Sequence, residues 1–444
     1  MCSRVVRTRR SQSKLTKGEH MKVSGRGCGV SLALLLVLIA VLVAGLALAG
    51  CGSSGSAASG DSGGGSSSAP TTVVIGVDAS MSGPLAGFGA YEKWAINAAV
   101  SDQNAKGGVT VNGKPVQVKV VLYDDKSDGN VAASNVDTLI TKDKAIAIVG
   151  PIVPTVGNPA ALAAERRGVP YIESGNPLEP FIGVKAKSGG WKYAFDFFVS
   201  GVNLADSTFS MLSDYGIKAK TNSVVATVVD NSSDGPVFDA LWTANAKKYG
   251  WKQVKMPPYP SNATEFGSLI NKLKQSGADY VVALGDTPTL IALRKQMDAA
   301  GYKPKIMDFA RGAQLQQFAD ALGPLSDGII IDSYWTPDVP YPGAAELGAR
   351  FTKETGQSMG QMVGPAYATG QILLNAINAA GSTESQKIVD AIAATNGDFV
   401  CGPVKFDANH TSTIPSLLTQ WQNQKSVIIW PKDVAKGQVI FPLP

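Results

Sequence analysis

Histidine is almost missing from these 444 residues: there are two, His20 and His410. A Ser-His-Asp or Cys-His triad in the body of the chain would have to use His410, which sits in a polar stretch after Asp407 and reads as solvent-facing. Cysteine is scarce as well, four in all (Cys2, Cys28, Cys51, Cys401), and no His/Cys/Asp group stands at metal-ligand spacing. Asp124-Asp125 with Asp128 lacks the alternating acidic pattern and the twelfth-position glutamate of a calcium loop. Gly87-Phe88-Gly89 follows a strand, but Glu92 stands where a dinucleotide fingerprint needs its third glycine. Clustered basic stretches are absent beyond residue 50, which argues against nucleic acid. Beyond residue 50 there is also no run apolar enough to span a bilayer.

The first 50 residues are different. Lys22 and Arg26 precede an apolar segment, Val30 to Leu48, and Leu48-Ala49-Gly50-Cys51 closes it with small residues before a cysteine. This resembles a bacterial lipoprotein signal, which implies cleavage before Cys51 and a lipid on its thiol. Met21 is an alternative start. An uncleaved transmembrane helix is the competing reading, since about 20 apolar residues can cross a membrane. The small residues at Cys51 and the linker after it fit cleavage better. Residues 1–50 carry eight Lys/Arg and one acid, so residues 51–444 hold 32 basic against 34 acidic side chains, and the formal +5 becomes about −2. Cys401 is then left without a disulfide partner in the chain. Gly52 to Pro70 is Gly/Ser/Ala with a single charge, Asp61, and reads as a flexible tether with a reach of roughly 25 Å.

From Val73 the pattern alternates strand and helix. Val73–Asp78, Val116–Asp124, Ile146–Gly150 and Val169–Glu173 read as buried parallel strands. After Gly201 the alternation restarts, with strands at Val224–Val229, Tyr280–Leu284, Lys305–Asp308 and Gly328–Asp332. Helices read at Pro236–Tyr249, Phe266–Ser276 and Pro288–Ala300, and two longer ones near Gly343–Gly356 and Pro365–Ala380. Two βα series predict an α/β protein of two lobes, each an open parallel sheet.

Several stretches in order then match one family. They are Ser82-Gly83-Pro84-Leu85-Ala86-Gly87-Phe88-Gly89, Ala105-Lys106-Gly107-Gly108, Tyr123-Asp124-Asp125, Val149-Gly150-Pro151, Gly168-Val169-Pro170, Thr264-Glu265-Phe266, Ala366-Tyr367-Ala368 and Gly402-Pro403-Val404-Lys405-Phe406-Asp407. From about Val73 to Trp430 the chain resembles the leucine/isoleucine/valine-binding proteins, the type I periplasmic solute-binding family of ABC importers. The resemblance implies two Rossmann-like lobes in a clamshell, with a three-crossing hinge near Val199–Gly201, Asp332–Tyr334 and Leu417. Lobe 1 would be 71–199 with 333–416, and lobe 2 would be 200–332 with 417–444.

The resemblance also implies a ligand between the lobes. Phe88 stands where the family often sets an aromatic against the ligand; alternatively it folds onto its own lobe. In Ile152-Val153-Pro154-Thr155, Pro154 replaces a hydroxyl residue that relatives use on the ligand carboxylate, leaving Thr155 beside it. Gly175 can offer its backbone, Pro177 takes a threonine's place, and Asn176 or Ser174 is a substitute donor. Asp234 and Asp286 occupy positions that are often aromatic. Arg311 falls where relatives carry the glutamate that pairs with an α-ammonium. A guanidinium suits a carboxylate, phosphate or carbonyl. Either Arg311 grips such a group, or Asp234 and Asp286 receive an ammonium in a rearranged site, or Arg311 pairs with those aspartates and leaves a neutral polar pocket. Standing in a loop beyond a strand end, its truncation is expected to leave the core untouched.

The functional expectation is a lipid-anchored extracytoplasmic protein, monomeric and without cofactor or metal. It would deliver a small polar molecule (amino acid, amide or carboxylate-like) to an ABC permease in the membrane. A ligand-sensing receptor lipoprotein is the alternative, and an enzyme using the cleft carboxylates is a remote one.

Overall fold

The β-branched runs form the centres of two seven-stranded sheets. The structure, a computed structural model, describes residues 72–357 and 360–444, which fall in one compact unit. The lipoprotein signal, Cys51 and the tether to Pro70 lie outside the described residues. Among those residues no helix is long and apolar enough to cross a membrane.

The strands run β1 Thr72–Ala79, β2 Val109–Val111, β3 Lys114–Asp124, β4 Ala147–Val149, β5 Tyr171–Glu173 and β6 Ala194–Phe198, then β7 Val224–Val228, β8 Lys252–Lys255, β9 Tyr280–Gly285, β10 Ile306–Arg311 and β11 Ile330–Ser333. They end with β12 Asn396–Phe399, β13 Gly402–Lys405, β14 Thr411–Thr413, β15 Leu417–Gln422 and β16 Lys425–Trp430. The first sheet has the order β14-β6-β5-β4-β1-β3-β2 and the second β16-β15-β11-β10-β9-β7-β8, while β12 and β13 form a separate hairpin.

The expected parallel sheets are present, with antiparallel strands added at their edges. Both are mixed, with β2 antiparallel to β3 and with β15 antiparallel to both β11 and β16. Two tight turns explain the β2–β3 and β15–β16 pairs. Asn112 and Gly113 have φ of +50° and +73°, and Asn423 and Gln424 have +52° and +60°, which is the geometry that folds neighbouring strands into hairpins. The remaining neighbours pair in parallel, as βα alternation requires.

The chain passes between the sheets after β6, after β11 and after β14. Helix Gly201–Asp214, entered from β6, packs against lobe 2 elements. Helix Val363–Ala380 returns to lobe 1 and lies against helix Ala86–Ala105, so closely that a Cβ on Gly370 would sit 2.6 Å from Ala99 Cβ. Central strand residues such as Val77, Ile148, Val282 and Ile331 have no exposed surface. One continuous apolar core runs from lobe 1 into the near face of the second sheet.

Cys401 is fully buried, and burial pushes its thiol up to about 12, as befits a packing residue. His410 is half-buried, less solvent-facing than expected. Its ring stacks on Phe195 at 4.1 Å, and Nδ1 lies 3.2 Å from the Ala194 carbonyl, because β14 docks beside β6.

Candidate functional site

The loops that leave the carboxyl ends of the strands face one another across the two sheets. In open α/β sheets this edge is where ligands bind. In lobe 1 three such loops converge. The loop after β1 is held by Asp124, which accepts from the Met81 and Ser82 amides at 2.9 and 3.1 Å and from Ser82 Oγ at 2.7 Å. It delivers Phe88 on the first turn of helix Ala86–Ala105, 2% exposed. The loop after β4 leads into helix Pro154–Arg167, and the Val153 amide donates to the Gly175 carbonyl at 3.1 Å, tying it to the loop after β5. A side chain at Gly175 would collide with Ile152 at 2.3 Å, so only glycine lets the two loops touch.

Lobe 2 contributes the turn after β7, the start of helix Thr287–Ala299 after β9, and Arg311 at the end of β10. Arg311 belongs to a strand that runs three residues past its expected end. Its side chain is 10% exposed and meets three carboxylates: Nη1 bonds Asp234 at 2.5 Å, Nη2 bonds Asp230 at 2.5 Å, and Nε lies 3.0 Å from Asp286 Oδ1. The Ser232 hydroxyl bonds both Asp230 and Asp234. The Arg311 amide donates to Asp332 Oδ1 at 3.1 Å, and Gln314 Nε2 donates to the same oxygen at 3.1 Å.

Burial alone would raise Asp234, but the Arg311 charge and the Ser232 hydrogen bond outweigh it and hold this carboxyl below its usual range. At Asp286 burial prevails, helped by Asp230 and Asp234, and the carboxyl rises despite Arg311. Burial also lifts Asp332, to about 6, against the hydrogen bonds from Gln314 and Arg311. Arg311 loses solvation, yet its aspartates keep it protonated well above its ordinary value. The expectation that truncating Arg311 would spare the core fails here, because three carboxylates depend on it.

Two compartments open between the loops. The first is narrow and mostly apolar: Phe88, Ile152, Pro154, Gly175 and Pro177 from lobe 1 face Leu204, Phe238 and Leu284, with Phe198, Tyr334 and Met362 at the hinge side. Its polar wall is Asp234, Arg311, Gln314 and Asp332. The second is roomier and is lined by Ser127 and Thr155 from one lobe and Ser232, Ser261 and Asp286 from the other. Val153 and Arg311 line both. These two residues also have positive φ, +67° and +58°, in conformations that cost a side-chain-bearing residue about 1–3 kcal/mol. Such outliers collect at binding sites.

Of the residues singled out from sequence, Phe88, Pro154, Gly175, Asp234 and Arg311 line the first compartment, while Thr155, Asp286 and again Arg311 line the second. Asn176 lines neither. It is fully buried, and its Nδ2 bonds Asn158 Oδ1 at 2.9 Å and Glu173 Oε1 at 3.2 Å. Sequence reasoning missed Asp230, Gln314, Asp332, Phe238 and Met362. Asp230 and Asp332 stood at strand ends, which was the available signal.

Residues 72–426 match the model of the periplasmic binding protein family. The chain belongs to that family. A Leu/Ile/Val-binding protein homolog (homolog 8) of Brucella abortus (strain 2308) is 28% identical over 379 residues, covering 81% of this chain and 91% of its own. The fold is that of type I periplasmic binding proteins. A branched-chain amino acid transporter substrate-binding protein from Streptococcus pneumoniae, solved with isoleucine, superposes with a TM-score of 0.72 at 24% identity, over 81% of this chain and 100% of its own. A leucine-binding protein from Thermotoga maritima MSB8 gives 0.71 at 20% identity, over 81% and 99%. Periplasmic binding proteins are a family of extracytoplasmic solute-binding proteins, not an enzymatic one, and this chain is a solute-binding protein.

Proposed function

We propose that this periplasmic binding protein is anchored by lipid at Cys51, works as a monomer, and delivers a small polar molecule to an ABC permease. The lobes would be 71–199 with 333–416 and 200–332 with 417–444, closing on the ligand about their three crossings. Phe88, Pro154, Thr155, Gly175, Asp234, Asp286 and Arg311 would contact it, with Asn176 shaping the loop behind Gly175.

One observation carries the reading: loops from the carboxyl ends of both sheets meet around shared compartments, so a ligand there touches both lobes at once. Contacts available only when the lobes meet make the ligand favour the closed form. Native mass spectrometry of the purified protein tests it. A co-purifying small molecule, or one captured from a metabolite extract, is the expected result, and persistent failure to capture any would refute solute binding. For the anchor, Cys51→Ala should abolish incorporation of labelled fatty acid and detergent partitioning; label retained in the variant would refute it.

A further inference from the structure

We propose that the ligand of this cleft is a small organic monocation: an amine with a branched or aromatic apolar body and no carboxylate. This rests on the solute-binding reading above and narrows it.

The first ground is charge. Among the described residues, Arg311 is the only cationic residue lining either compartment. It is already shared by Asp230, Asp234 and Asp286, so one guanidinium faces three carboxylates, a formal excess of two negative charges. An incoming carboxylate finds no free cation and is repelled by this excess, in surroundings where water screens poorly. An incoming ammonium relieves it.

The second ground is the chemistry of the lobe 1 wall. Pro154 and Pro177 have no N–H to donate, and Phe88, Ile152 and Val153 add only apolar surface to the first compartment. That wall suits an apolar body rather than an anion. The Gly175 carbonyl is occupied by the Val153 amide.

The third ground places the charge. Asp286 is held less completely than its neighbours: its side chain is 13% exposed, against 0% and 3% for Asp230 and Asp234, and it meets Arg311 only at Nε. It opens into the second compartment beside Ser232, Ser261 and Thr155, whose hydroxyl oxygens can complete the shell of an ammonium. The two compartments share Val153 and Arg311, so a molecule whose body fills the first presents its charged end to Asp286 across Arg311.

The test is calorimetry at pH 7 with four probes that share one branched body: 4-methylpentylamine (cation), 4-methylpentanamide (neutral), 4-methylpentanoate (anion) and leucine (zwitterion). The amine should bind at least tenfold more tightly than each of the others. Asp286→Asn should erase that advantage, bringing the affinity for the amine down to that for the amide. If the variant does not fold, the wild-type series decides alone. Amide, anion or zwitterion binding as tightly as the amine overturns the cation assignment and leaves solute binding intact, as does an Asp286→Asn protein that folds and keeps the amine preference. Should none of the four bind, the molecule captured from a metabolite extract decides: a cation supports the assignment and any other charge overturns it. If nothing binds from probes or extract, both the assignment and the solute-binding reading fall.

Discussion

Arg311 carries more of lobe 2 than its place in a binding cleft suggests. Removing one partner from a buried ion pair leaves an uncompensated charge and costs about 3–5 kcal/mol. Here one truncation strands three carboxylates. Arg311→Ala should therefore lower stability to urea by at least that amount, and Arg311→Lys, which keeps the charge but not the fork, should recover part of it. An Arg311→Ala protein as stable as the parent would contradict the geometry. Lobe 1 holds the opposite arrangement, buried carboxyls without a cation. Burial lifts Asp78 to about 8 despite a hydrogen bond from Asn135, and it lifts Glu173 to about 8 despite bonds from Tyr171 and Asn176. Both bind protons more tightly folded than unfolded, so their stabilising contribution is complete below about pH 4 and is lost as pH rises to about 8. Asp124, Asp234 and Asp407 are held low and act in the opposite sense only below about pH 4. The melting temperature should thus climb as pH falls from 8 to 5, by an amount on the order of a few kcal/mol in stability. Asp78→Asn should flatten that slope and stabilise the protein at pH 8; a slope unchanged in the variant would exclude Asp78 as its source.

Among the elements, the loop after β1 is sharply constrained. A Cβ on Gly89 would lie 2.1 Å from the Ser80 carbonyl oxygen, backbone against backbone, so Gly89→Ala must move the loop or the helix carrying Phe88. A loss of about 1–3 kcal/mol in urea unfolding is expected, with weaker binding of the captured ligand. Wild-type values for both would show that the loop yields. Buried parallel strands are continuous β-branched runs, so β1, β7 and β9 are plain in the sequence, and helices such as Val363–Ala380 show in their apolar spacing. Edge strands are not. β2 is three residues long and β14 is three, too short for any period to register. Asn112-Gly113, between Val111 and Lys114, is the one local signal of the β2–β3 hairpin, and the alternation of longer runs around it hides it. The site is legible as positions but not as partnerships. Phe88, Pro154 and Gly175 can be placed by the motifs around them, whereas the Arg311 cluster joins residues 77 and 81 positions apart, a distance over which no local pattern reports.

At the scale of the whole molecule, the apolar core includes Val77 and Ile148 of one lobe and Val225 and Tyr280 of the other. The lobes share buried surface. Scanning calorimetry should accordingly show a single cooperative unfolding transition, and two well-separated transitions would mean that the lobes melt independently. The three crossings also bear on manufacture. β14 must come from residue 411 onward to pair with β6, and helix Val363–Ala380 must arrive to cover helix Ala86–Ala105. A nascent chain that has emerged only through β6 holds most of a sheet but lacks both its closing edge and a covering layer. It stays loose until β14 has been made. In a family that works outside the cytoplasm, an unfinished lobe of this kind is one that can still pass through a narrow opening.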